Sequence, residues 1–155
     1  VKNKKPFLVI CPKTLIFNWE NEIKKFSPNL KFLSIYWSIK ERCEKFKKIK
    51  KTIDSRLRGN DKTGGNDKDG DFDVIITSYS TIKQDIKKYH ESEISFDTVF
   101  IDEAQHIKNH KTKTASAIKN IDSDFKIALT WTPLENWVHE IWSIFDFAMW
   151  GFLWN

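Results

Sequence analysis

The sequence predicts an α/β domain, a doubly wound and mainly parallel sheet with helices on both faces. Two observations carry this. Four short apolar runs, at residues 7–11, 74–77, 98–101 and 126–130, are rich in β-branched and aromatic residues, and none alternates polar with apolar. Strands covered on both faces read this way. The stretches between them carry apolar residues at helical spacing, and strand then helix, repeated, is the pattern of an open parallel sheet.

Taken in order, Phe7 to Cys11 is the first strand. Residues 14–26 then place Leu15, Trp19, Ile23 and Phe26 at spacings of 4, 4 and 3, one apolar stripe along a helix. Thr14 stands where it can cap that helix, and Pro28 follows its end. Residues 30–36 form a less pure strand, expected nearer a sheet edge. Residues 38–50 put Ile39, Cys43, Phe46 and Ile49 on one helical face and lysines on the other. Strands at 74–77, 98–101 and 126–130 then alternate with helices expected over 81–89, 112–121 and 134–147.

Residues 53–71 do not fit this alternation. They hold four of the five glycines in the chain, repeat Gly-Asn-Asp at 59–61 and 65–67, and have almost nothing apolar to bury. A flexible Gly/Asp/Asn-rich surface insertion is expected there. Asp67, Asp69 and Asp71 superficially resemble a calcium loop, but the glycine falls at the fourth position and the twelfth is Ser78 where a loop needs Glu.

At 155 residues, with 40% apolar and 30% charged, the composition is that of one globular domain. No apolar run approaches the roughly 20 residues that span a bilayer. The two cysteines lie in an apolar run and a helical pattern, so a reducing compartment is expected. Charge is uneven: residues 1–51 carry fourteen Lys and Arg against four Asp and Glu, a balance of +10, and the remainder carries −5 for a net +5. A basic first third suits an anionic partner such as a nucleic-acid backbone, and equally a solvated lysine-rich helix face.

The sharpest chemical signal is Val99 to Gln105, VFIDEAQ. Asp102 and Glu103 sit at the carboxyl end of an expected buried strand, where open α/β sheets bind ligands. One carboxylate there can hold Mg²⁺ while its neighbour orients or deprotonates a water. An acidic helix start after a strand is the other reading.

These residues belong to a larger pattern. Asp102-Glu-Ala-Gln105 resembles the Walker B box of helicase-type ATPases, and residues 96–109, FDTVFIDEAQHIKN, resemble that box in the Swi/Snf family of DNA-translocating ATPases. ICPKTLIFNWENEIKKF at 10–26 is similar to motif Ia of that family, ITSYST at 76–81 to its motif Ib region, and LTWTPLEN at 129–136 with EIWSIF at 140–145 to motif III and the helix after it. The resemblance covers nearly all of the chain except the insertion at 53–71.

It implies a partial RecA-like, P-loop NTPase type lobe over residues 1–155, from a DNA translocase that uses ATP and Mg²⁺. Asp102 would hold Mg²⁺ through water and Glu103 would polarise the attacking water. Gln105, Thr130 and Thr132 would link the nucleotide to a cleft facing a second RecA-like lobe. Lys13 and Thr14 would hold a DNA phosphate, and Thr77 and Ser78 would offer a second backbone contact, tracking a strand without reading sequence. Ordinary capping is the competing role for these two pairs. The implied setting is the bacterial cytoplasm, at the nucleoid, or the eukaryotic nucleus.

No G-x-x-x-x-G-K-[ST] loop occurs, so nothing in the sequence cradles the β- and γ-phosphates. The resemblance places that loop, and the central strand before it, upstream of motif Ia. The expectation is an incomplete lobe, inactive alone, whose remaining strands leave an apolar edge unpaired. Five of the seven tryptophans follow Thr130, and Trp131 and Trp137 stand where the family carries Gly and Arg. Those departures favour a second reading, a non-catalytic nucleic-acid or protein-binding remnant of a decaying gene. Asp102, His106 and His110 fall at i, i+4 and i+8, but the polar run to Thr114 speaks against one helix, so exposed histidines are expected and not a metal face.

Overall fold

The computed structural model describes residues 5–57, 72–92, 94–131 and 138–149. Along the chain run β1 (Phe7–Cys11), α1 (Ile16–Phe26), β2 (Phe32–Ile35), α2 (Ile39–Leu57), β3 (Val74–Ser78), α3 (Tyr79–Glu91), β4 (Phe96–Ile101), α4 (Lys113–Lys119), β5 (Ser123–Ala128) and α5 (Val138–Ala148). Short 3₁₀ turns at Lys13–Leu15 and Ala104–Ile107 follow β1 and β4.

All strand pairs are parallel, in the order β2-β3-β1-β4-β5. The expected α/β fold is therefore present, and the impure run at 30–36 does lie at an edge, as β2. Leu8, Ile10, Ile35, Ile75, Val99 and Ile101 face one layer, where Phe46 and Ile49 of α2, Ile82 and Tyr89 of α3, Ile118 of α4 and Phe147 of α5 complete the larger core. The alternate residues Val9, Cys11, Val74 and Ile76 face the other layer, covered by Ile16 of α1 with Trp19 and Ile23. The two-residue period of a strand produces this division directly.

Two buried ion pairs tie the helices of the larger layer together. Arg42 of α2 meets Asp85 of α3, at 8% and 3% side-chain exposure. Lys119 of α4 meets Asp146 of α5, at 6% and 9%.

Several expectations need correction. Thr14 does not cap α1: it lies exposed within the 3₁₀ turn, and neither Pro12 nor Leu15 makes a side-chain capping bond. Phe26, the last residue of α1, and Ile39, the first of α2, leave their expected apolar stripes and are 69% and 66% exposed. The last strand starts earlier than expected, at Ser123, and it is not covered on both faces. Phe125, Ile127 and Leu129 are 66%, 41% and 39% exposed, because β5 is an edge and the cluster around α1 reaches no further than Phe100 of β4 on that side. The five described strands join without a gap, β1 pairing with both β3 and β4, and β5 forms an edge with exposed apolar residues. Finally, α2 continues through Leu57, into the stretch assigned to an insertion; residues 58–71 lie outside the described residues. Among the described residues no helix is long and apolar enough to cross a membrane.

Candidate functional site

Parallel strands bring their carboxyl ends to one margin of the sheet. Ile10 of β1 is level with Thr77 of β3 and Ile101 of β4, and Ile101 is level with Ala128 of β5. The segments that follow these residues therefore assemble along a single rim: Pro12 to Leu15, Ser78 to Tyr79, Asp102 to Gln105 and Leu129 to Trp131. Neighbouring strands stand about 4.8 Å apart, so groups far apart in sequence come within reach of one another.

Asp102 is the most heavily held residue of the rim. Its backbone N–H donates to Ile10 O at 2.8 Å, extending the β1–β4 ladder one step past the strand. Its Oδ1 accepts from the Glu103 N–H and its Oδ2 from the Trp19 indole Nε1–H, each at 2.9 Å. The Tyr79 hydroxyl donates to Asp102 O at 2.6 Å and lies 3.4 Å from Glu103 O. Burial, with the Asp102 charge beside it, raises the Tyr79 phenol, which keeps this donor protonated. The same two causes push the neighbouring Cys11 thiol up to about 12.

Glu103 has φ 55° and ψ 57°, the one positive-φ non-glycine residue among the described residues. A left-handed conformation at a side chain with a Cβ costs on the order of 1–3 kcal/mol and persists only where its surroundings hold it. Here the Ala104 N–H bonds to Leu129 O at 2.9 Å, just past the end of β5. The Gln105 amide donates to Glu103 Oε2 at 2.7 Å, and the Thr130 hydroxyl donates to Gln105 Oε1 at 3.2 Å. Glu103, Gln105 and Thr130 thus form one polar chain from β4 to β5.

The other expected residues divide. Lys13 and Thr14 are exposed on the same rim. Thr77 is fully buried with its hydroxyl donating to Ile35 O at 2.9 Å. Ser78 caps α3, accepting from the Thr81 N–H. Both hydroxyls are engaged inside the protein, Ser78 as a helix cap and Thr77 in a bond across to β2. Thr132 and Trp137 lie outside the described residues, and the Trp131 indole is 91% exposed. His106 and His110 are exposed; His106 lies tilted against Tyr79, and His110 meets Trp142 edge to face. Among the described residues no cluster of three metal-ligating side chains exists.

Trp19 and Tyr79 escape sequence reading as site residues. Trp19 reads as part of an apolar stripe and Tyr79 only as one residue of the run ITSYST. Only their polar tips distinguish them, because a largely buried indole N–H or phenol requires a partner.

A family profile of SNF2-related domains matches residues 1–155. The chain is 37% identical over 144 residues to helicase ssl-1 of Caenorhabditis elegans, covering 93% of this chain and 5% of that protein. It is 34% identical over 154 residues to the uncharacterized ATP-dependent helicase MG018 of Mycoplasma genitalium, covering 99% of this chain and 13% of that protein. Among solved structures, the Sulfolobus solfataricus SWI2/SNF2 ATPase core in complex with dsDNA superposes with a TM-score of 0.68 at 34% identity, covering 95% of this chain and 25% of that one. The chain thus spans a small part of each relative's length. In sequence over its whole length, and in the fold it shares with the SWI2/SNF2 ATPase core, this chain belongs to the SNF2-related domain family.

Proposed function

We propose that this chain provides the carboxylate pair and a DNA-backbone contact of an ATP-dependent DNA translocase whose nucleotide is ATP with Mg²⁺. The observation that supports this best is the holding of Asp102 and Glu103. One carboxylate is fixed by a donor on each oxygen, and the other stands on a strained left-handed residue linked to β5 through Gln105 and Thr130.

The donor set suits Mg²⁺. Each Asp102 oxygen accepts one hydrogen bond and a carboxylate offers about four acceptor sites, so lone pairs remain for a water of the ion's shell. Mg²⁺ dehydrates reluctantly and is commonly held by one or two carboxylates together with substrate phosphates. When bound, it would neutralise charge on the phosphates. Glu103 would orient the attacking water and accept its proton. Gln105 holds the Glu103 carboxylate, and Thr130, with Thr132, would report the occupant of the cleft towards a second lobe. Lys13 and Thr14 would meet a DNA phosphate with charge and hydroxyl, while Thr77 and Ser78 brace the neighbouring strand end. The relative solved with dsDNA supports this partner class. Such a protein would work where chromosomal DNA lies, at the bacterial nucleoid or in the eukaryotic nucleus.

The test is DNA-stimulated ATP hydrolysis by a protein that joins this chain to a phosphate-binding loop and a second lobe. Glu103→Gln should abolish turnover and spare DNA binding. The remnant reading gains if no such protein hydrolyses ATP while this chain still binds DNA.

A further inference from the structure

The two helices that follow the rim segments beside the acidic pair, α1 and α3, each send it one donor, and they grip different parts of it. From α3, the Tyr79 hydroxyl holds main-chain oxygens of Asp102 and Glu103. From α1, Trp19 holds the Asp102 carboxylate itself. The Asp102 backbone is fixed a second time by its N–H bond to Ile10 O. Backbone and side chain of this residue therefore answer to different elements.

The element behind Trp19 is lightly attached. Among the described residues α1 alone covers its side of the sheet; Ile16 is its only buried residue, and Leu15, Trp19 and Ile23 are partly buried. Phe17 and Phe26 on the same helix are 64% and 69% exposed. The helix follows directly on the turn carrying exposed Lys13 and Thr14, and Trp19 lies about 4.5 Å along the axis from Ile16, at 1.5 Å per residue. A small displacement of this turn carries the indole N–H with it, whereas the Asp102 backbone stays with the sheet.

Building on the function proposed above, we propose that Trp19 is a positioning residue that relays anion contact at Lys13 and Thr14 to the Asp102 carboxylate. Tyr79 is the fixed counterpart that holds the backbone while the side chain responds.

The experiment uses the ¹⁵N-labelled chain, a blunt DNA duplex and Mn²⁺ as the probe ion. The Trp19 indole resonance is identified by its loss in Trp19→Phe. DNA is expected to shift the Lys13 and Thr14 amides and this indole, and Mn²⁺ to broaden the Asp102 and Glu103 amides. The Mn²⁺ concentration for half-broadening should change about 5-fold or more with DNA, the lower end of ordinary coupling between sites. In Trp19→Phe that DNA dependence should vanish. Asp102→Ala examines the contact from the other side: it keeps the indole and removes its acceptor, so DNA should still shift Lys13, Thr14 and the indole, which moves with its helix. If Mn²⁺ leaves residues 102 and 103 untouched, the proposed Mg²⁺ role and this relay fail together. If Mn²⁺ broadens them but DNA has no influence, or Trp19→Phe keeps the DNA effect, or the indole fails to respond to DNA in Asp102→Ala, the relay alone is refuted.

Discussion

Replacing Asp85 by Ala should be among the most destabilising single changes in the larger layer. Asp85 is 2% exposed and Arg42 is 7% exposed. The Arg42 Nε–H donates to Asp85 Oδ2, and one Nη2–H lies 3.5 Å from Oδ1. The remaining guanidinium donors reach Trp37 O at 2.9 Å and Gln84 Oε1 at 3.0 Å. Asp85→Ala leaves that guanidinium with neutral acceptors only, inside the seam between α2 and α3. Removing one partner of a buried pair costs roughly 3–5 kcal/mol, because an uncompensated charge stays behind. For a chain of this size that lowers Tm by on the order of 10 °C, at roughly 2–4 °C per kcal/mol. Lys88 also meets Asp85, at 2.8 Å, but its side chain is 30% exposed, so Lys88→Ala should cost no more than about 1 kcal/mol. Urea unfolding of the three proteins measures the contrast. If Asp85→Ala and Lys88→Ala cost the same, within about 1 kcal/mol, the view of α2 and α3 as joined by a buried charge is wrong.

Three further outcomes follow from the structure. DNA binding by this chain should be weak, around 10⁻⁴–10⁻⁶ M, and should fall steeply between about 50 and 200 mM salt; titration of labelled duplex with Lys13→Glu and Lys24→Glu checks it, and unchanged binding would leave the basic face merely solvated. Phe125→Lys on the exposed edge of β5 should raise the concentration at which the chain self-associates about tenfold, since a buried Phe is worth roughly 1.5–3 kcal/mol; light scattering over a dilution series reads this, and no change would acquit the edge. The Cys11 thiol is raised by burial from 9.0 to about 12, so its stabilising contribution is whole below pH 9 and is lost as pH rises towards 12. Stability curves at stepped alkaline pH should show about 1.36 kcal/mol per pH unit less slope in Cys11→Ala.

Most of the sheet is legible in the sequence because parallel strands buried on both faces leave unbroken apolar runs, and Phe7–Cys11 is both the plainest run and the central strand. β5 is misread for the same reason. Its apolar residues suggest two covered faces, yet one face and one edge are open, and a sequence pattern does not record which neighbours cover a strand. The acidic pair is legible because adjacent carboxylates after an apolar strand have few structural uses. Its mounting is not, since the left-handed Glu103 and the Trp19–Asp102 bond depend on α1 and β5, from 83 residues upstream of Asp102 and from the next strand. Thr77 and Ser78 show the limit from the other direction. Their hydroxyls read as DNA donors or as caps, and the sequence does not record that Thr77 donates across to Ile35 O while Ser78 caps α3.

The acidic pair is tested most directly by Glu103→Gln in a protein that joins this chain to a phosphate-binding loop and a second lobe, with ATP turnover followed with and without duplex DNA. Turnover should rise with DNA in the unmodified protein and fall by about 10²–10⁴-fold in the variant, the usual worth of a positioned acid–base group, with DNA affinity unchanged. A variant that hydrolyses ATP at the unmodified rate, still stimulated by DNA, would show that Glu103 does not activate the water.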